Sequence, residues 1–169
     1  MEEDFDEQVP KQKKSYNFGQ YQKQVSLLSG VSVEVLYKAI SVTGIQVEIK
    51  NVDNEGYVLN CDINGLSFSI SVIGFDGEEV LDTEELGMAI QCIAFFKPGK
   101  FESELDIYKK INTWNEEEAF SKAYYAESVI VLEMIIPAAG VVDENVNDGI
   151  HAWLDICTDF VGFLSDEEN

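Results

Sequence analysis

The sequence predicts an α+β domain, one antiparallel sheet with helices packed on it, in the order α-β-β-β-β-α-β-β-α. Three observations carry this reading. Stretches of period-two apolar alternation, such as IQVEIKNV, lie among stretches with period 3.6, and Asn64-Gly65 sits between two alternating runs as a tight hairpin turn. With 169 residues the chain can bury one core. The domain is expected over residues 25–165, between a loosely docked acidic and lysine-bearing tail at 1–24 and a short acidic tail at 166–169.

The first helix is expected to open after Gly30 with Ser32 as N-cap and Glu34 near the positive end of the dipole. Val35, Leu36, Ala39 and Ile40 form its apolar stripe, and Gly44 ends it. In the first strand Ile45, Val47 and Ile49 alternate with Gln46, Glu48 and Lys50. A type I′ turn at Asn64-Gly65 sets the next pairing: Ile63 faces Leu66, Cys61 faces Phe68, Leu59 faces Ile70 and Tyr57 faces Val72. The opposite side then carries Val58, Asn60, Asp62, Ser67, Ser69 and Ser71. A slip of one residue would turn the apolar set into water, so turn chemistry and alternation agree on one register.

After an acidic loop from Phe75 to Glu85, MAIQCIAFF has apolar residues on both alternations and reads as a strand covered on both faces. Lys97-Pro98-Gly99 stops it. A helix from about Glu102 is expected to turn Leu105, Tyr108, Ile111 and Trp114 inward, with Glu104 and Tyr108 or Asp106 and Lys110 as surface neighbours. A second hairpin follows, with strands near Ala119–Tyr125 and Val129–Ile136 and a turn at Ala126-Glu127. Phe120, Lys122, Tyr124, Val129, Val131, Glu133 and Ile135 share one face; Ile130, Leu132, Met134 and Ile136 share the other. One layer of helices cannot cover both, so the face bearing Phe120, Tyr124, Val129, Val131 and Ile135 is the expected partner-binding or dimer surface. The final helix, about Asp143 to Leu164, places Val146, Ile150, Trp153, Leu154, Cys157, Phe160, Val161 and Leu164 on one stripe.

Composition narrows the function. The net charge is −21 and all 11 basic residues are lysine, so nucleic acid would be repelled and no guanidinium fork is available for phosphates. The acidic start Met1-Glu2-Glu3-Asp4 is the reverse of a basic signal-peptide start, and the longest apolar run is broken at Glu133, which points to a cytoplasmic chain with no membrane span. Cys61, Cys92 and Cys157 are odd in number, widely spaced and on apolar positions, as packing residues are.

Three kinds of residue pattern bear on chemistry. Glu144, Asp148, His151 and Asp155 follow one another at about one helical turn, and Asp148, His151 and Asp155 could hold a metal. A charged stripe opposite an apolar one is, however, the ordinary outer face of a surface helix, and a second imidazole is lacking. No serine lies in a G-x-S-x-G elbow, no phosphate-binding glycine loop occurs, and cysteines on apolar stripes have their thiolates suppressed by burial. The expected catalytic, cofactor and metal sets are therefore empty. In INTWNEEEAF, Asn112 and Asn115 are expected at a helix end, where asparagine tolerates left-handed backbone; Asn115 and Glu118 have capping-box spacing, and Trp114 anchors the junction.

The stretch INTWNEEEAFSKAYYAESVIVLEMIIPAAGVVDENV resembles the YbjN family, a family labelled as bacterial sensory transduction regulators. The positions that carry the likeness are Asn112, Trp114, Asn115, Phe120, Tyr124, Leu132, Glu133, Gly140 and Val141, and it extends more loosely from Gly30 to Leu164. The resemblance implies a fold like that of type III secretion chaperones, frequent dimerisation and no catalytic residues. It leads to the expectation of a non-enzymatic module, a homodimer, that holds an unidentified protein partner on apolar sheet or helix surface. The large negative charge supports one alternative, an acidic inhibitor or immunity-type protein covering a basic enzyme surface.

Overall fold

The computed structural model describes residues 26–52, 56–99, 101 and 103–165. Both expected tails, 1–24 and 166–169, lie outside them. The described residues form helices α1 (Val33–Ser41), α2 (Glu104–Glu117) and α3 (Asp143–Ser165) and strands β1 (Gln46–Val52), β2 (Gly56–Ile63), β3 (Leu66–Ile73), β4 (Ala89–Phe96), β5 (Lys122–Ala126) and β6 (Val129–Pro137). The element order is the expected one. All six strands join one antiparallel sheet in the order β1-β2-β3-β4-β6-β5, so the class is α+β.

Asn64 and Gly65 adopt φ of 53° and 84°, the left-handed pair that a type I′ turn requires. The register across them is the expected one, with Ile63 opposite Leu66, Cys61 opposite Phe68 and Leu59 opposite Ile70. The second hairpin turns one residue later than expected: Glu127 and Ser128 take φ of 49° and 66°, and Ala126 pairs with Val129. Neither residue favours left-handed backbone, so the local sequence carries little signal, and the pairing of β5 with β6 places the turn. Each strand residue changes its partner by two positions, which preserves the sharing of faces. Residues 119–121 precede β5 instead of belonging to it.

One face of the sheet carries Leu59, Phe68, Ile70, Val72, Ile90, Cys92, Ala94, Ile130, Leu132 and Ile136, all buried in the core with residues of the three helices. α3 lies across this face: Trp153 meets Phe68 edge-on, Phe160 meets Phe96, and Trp114 of α2 meets Phe160 at 4.8 Å between ring centres. Gly149 permits the close approach of α3 to β6, because a Cβ there would stand 2.6 Å from Cγ2 of Ile136. A strap before α1 joins the far end, where Leu28 exchanges backbone bonds with Gly140 and Val141, and Val31 with Gly87.

The helices exist where expected; α1 and α2 are turned from their expected stripes, whereas α3 keeps its own except at Ile156 and Val161. In α1, capped by Ser32, the buried residues are Val33, Leu36 and Ile40, while Val35 and Ala39 face solvent. α2 buries Ile107, Ile111 and Trp114; Leu105 and Tyr108 point outward, Tyr108 touching Tyr125 edge-on, and Asp106 pairs with Lys109 at 3.5 Å. α3 buries Ile156 and exposes Val161. When apolar residues exceed one stripe, sequence period leaves the choice of face open, and contact with the sheet settles it. The acidic loop is docked by Val80, buried, whose amide donates to Val72.

Candidate functional site

Among the described residues no helix lies on the other face of the sheet, which divides into two halves. On β1–β3 it is polar, with Glu48, Asn60, Asp62, Ser67 and Ser69, the serine hydroxyls donating to Asp62 at 2.7 Å and to Asn60 at 3.3 Å. On β4, β6 and β5 it is apolar. Cross-strand rows place Phe95 beside Val131 beside Tyr124, Ile93 beside Glu133 beside Lys122, and Gln91 beside Ile135. Neighbours in such rows lie about 4.5–5.5 Å apart, so these side chains form one band.

The band brings together the residues singled out from sequence. Phe120 is 75% exposed, Ile135 50% and Tyr124 42%, with Val129 half-buried. Val131 differs: it is only 3% exposed, flanked in its row by Phe95 and Tyr124. Phe95 itself, 60% exposed, was missed because MAIQCIAFF reads as covered on both sides. The structure corrects this. Gln91 was the available signal, a polar residue on the alternation shared with Ile93 and Phe95, and its side-chain amide donates to Glu133 at 2.7 Å. Glu133 is thereby fixed inside the band, and with loss of solvent around the phenol it raises the Tyr124 pKa, desolvation being the larger cause. Between the α2–β5 loop and β6 the surface sinks into an open depression of about 620 Å³ lined by Phe120, Lys122, Glu133 and Ile135.

Asn112 and Asn115 both lie in α2, Asn115 in its last turn as expected, but neither has left-handed backbone. No capping box forms, since Glu118 is the extended C-cap of α2 and its carboxylate accepts from the amide of Phe120. Asn115 instead turns its side chain onto β5, where its amide donates to the carbonyl of Ala123 at 2.9 Å and its oxygen accepts from the amide of Ala123 at 2.8 Å. Trp114 does anchor the junction, buried against Phe160 and donating from Nε1 to Ser121 at 3.1 Å. Gly140, at φ 73°, makes the turn before α3.

Elsewhere the geometry gives little to chemistry. Asp148, His151 and Asp155 are exposed on the outer side of α3, and among the described residues no three His, Cys, Asp or Glu side chains gather as a metal site. Burial pushes the thiols of Cys61 and Cys157 up to about 12 and that of Cys92 further, so all three are protonated at neutral pH. Among the described residues no helix is long and apolar enough to cross a membrane.

The described residues form a small α+β domain in which one sheet face is covered by helices and the other is half apolar. A family model, YbjN, described as "Putative bacterial sensory transduction regulator", matches residues 32–165, and the chain belongs to that family. Comparisons with curated proteins and with solved structures give no significant match.

Proposed function

We propose that this chain is a non-enzymatic regulatory module that holds a protein partner against the apolar half of its bare sheet face. One observation carries the proposal: exposed Phe95 and Tyr124 flank Val131 in one cross-strand row, and exposed Phe120 and Ile135 line the depression further along β6, with Glu133 between Val131 and Ile135. Contiguous apolar surface on a chain of net charge −21 is what an adhesive but self-repelling protein presents. The regulatory description of the family supports the same reading.

The test compares the wild-type chain with Phe95→Ser, Phe120→Ser and their combination as bait in the native cell. These side chains are exposed, so the fold should persist. Proteins recovered by wild type and lost from the double variant are expected; an unchanged set of recovered proteins would refute the reading. The charge supports a second reading, an acidic inhibitor covering a basic enzyme surface through Glu48, Asp62 and their neighbours. Its complex should weaken steeply with added salt, and a complex held by the apolar band should not.

A further inference from the structure

The two edges of the sheet are finished differently. A two-residue turn closes on a hydrogen-bonded pair, and bonded and non-bonded pairs then alternate along an antiparallel ladder. From Ile63 opposite Leu66, the backbone groups of Ile63, Cys61 and Leu59 point at β3, and those of Asp62, Asn60 and Val58 point at β1. They meet Gln46, Glu48 and Lys50 there. The amides and carbonyls of Val47, Ile49 and Asn51 therefore point out of the sheet. The same count from the Glu127-Ser128 turn sends Ala123 and Tyr125 outward on β5, which is where Asn115 bonds both groups of Ala123. A side-chain cap thus satisfies Ala123 on one edge, whereas β1 is an outer strand of seven residues, most of them exposed, with Ile49 at 36%, and among the described residues no side-chain cap on it is seen.

We propose that β1 is the interface with a second copy of this chain, the two β1 strands pairing antiparallel about a two-fold axis at Ile49. Two copies of net charge −21 repel, so self-association needs a locally neutral contact. The register centred on Ile49 provides one. It opposes Ile49 to Ile49 and Val47 to Asn51 as bonded pairs, and sets Glu48 of each copy opposite Lys50 of the other as non-bonded pairs, where side chains stand closest, with Cα atoms about 4.5 Å apart. Moving the axis to residue 48 or 50 opposes like charges. About six backbone hydrogen bonds form across the axis, and the two sheets join into one. Closed two-fold pairing also consumes the exposed edge, which otherwise invites open-ended association.

The proposal is separate from partner binding on the sheet face and its test separates them. Molar mass by sedimentation is measured for the full chain, Glu48→Lys, Lys50→Glu and the Glu48→Lys/Lys50→Glu double variant. Wild type is expected to be dimeric; each single reversal, which sets like charges opposite, is expected to weaken the dimer at least tenfold; and the double variant is expected to restore it. The single variants change net charge in opposite directions, so a shared loss cannot come from overall charge. A monomeric wild type, or a dimer that persists through either single reversal, would overturn the proposal. Phe95→Ser and Phe120→Ser should leave the dimer unchanged.

Discussion

Replacing Asn115 by alanine isolates the cap on β5. The substitution removes two hydrogen bonds, of 2.9 and 2.8 Å, to the outward carbonyl and amide of Ala123. Each bond contributes about 1 kcal/mol net, so their loss costs about 2 kcal/mol. Position 115 lies inside α2, where alanine is the better helix former by about 0.6 kcal/mol, and the net destabilisation is about 1.5 kcal/mol. For a chain of this size that is a fall in Tm of about 3–6 °C. Urea unfolding followed by fluorescence of Trp114 and Trp153 measures it directly. Asn112→Ala is the matched control, an exposed asparagine one turn earlier on the same helix, and should be neutral or slightly stabilising. Asn115→Asp keeps an acceptor for the amide of Ala123 but sets a carboxylate against its carbonyl, so it should cost at least as much as alanine. If Asn115→Ala proved no more destabilising than Asn112→Ala, the bidentate bond would have no energetic weight and the capped-edge argument would fail.

Gly149→Ala forces a methyl to within 2.6 Å of Ile136 and must push α3 from β6; a loss of about 1–3 kcal/mol is expected from overpacking, read by denaturant midpoint, despite alanine's better helix propensity. The Trp114–Ser121 bond of 3.1 Å should give a coupling of about 1 kcal/mol in a double-mutant cycle of Trp114→Phe and Ser121→Ala. Burial raises the Cys61 and Cys157 thiols from 9.0 to about 12, so the folded state holds protons that the unfolded state releases. Their contribution to stability is fully present below pH 9, and it falls as pH rises from about 9 towards 12. The urea midpoint should drop over that interval, and thiol reagents at pH 8 should label the protein only when it unfolds.

Sequence alone determined which residues share a side. Alternation in IQVEIKNV, the Asn64-Gly65 turn and the apolar spacing of the last helix are local properties, and they set element order, the first hairpin's register and the division of β6 into two faces. The aromatic residues of the band were legible for the same reason, except Phe95, whose apolar neighbours hid the bare side of β4. Tertiary structure decided whatever depends on two segments meeting. It chose Ile107 over Leu105 and Ile156 over Val161 for the core, because a helix with more apolar residues than one stripe turns to whichever face the sheet can cover. It moved the second turn to Glu127-Ser128, where strand pairing outweighs weak turn preference. It also gave Asn115 its partner, since a side-chain amide signals hydrogen-bonding capacity in the sequence, but only the packing of α2 beside β5 brings an outward backbone group within reach.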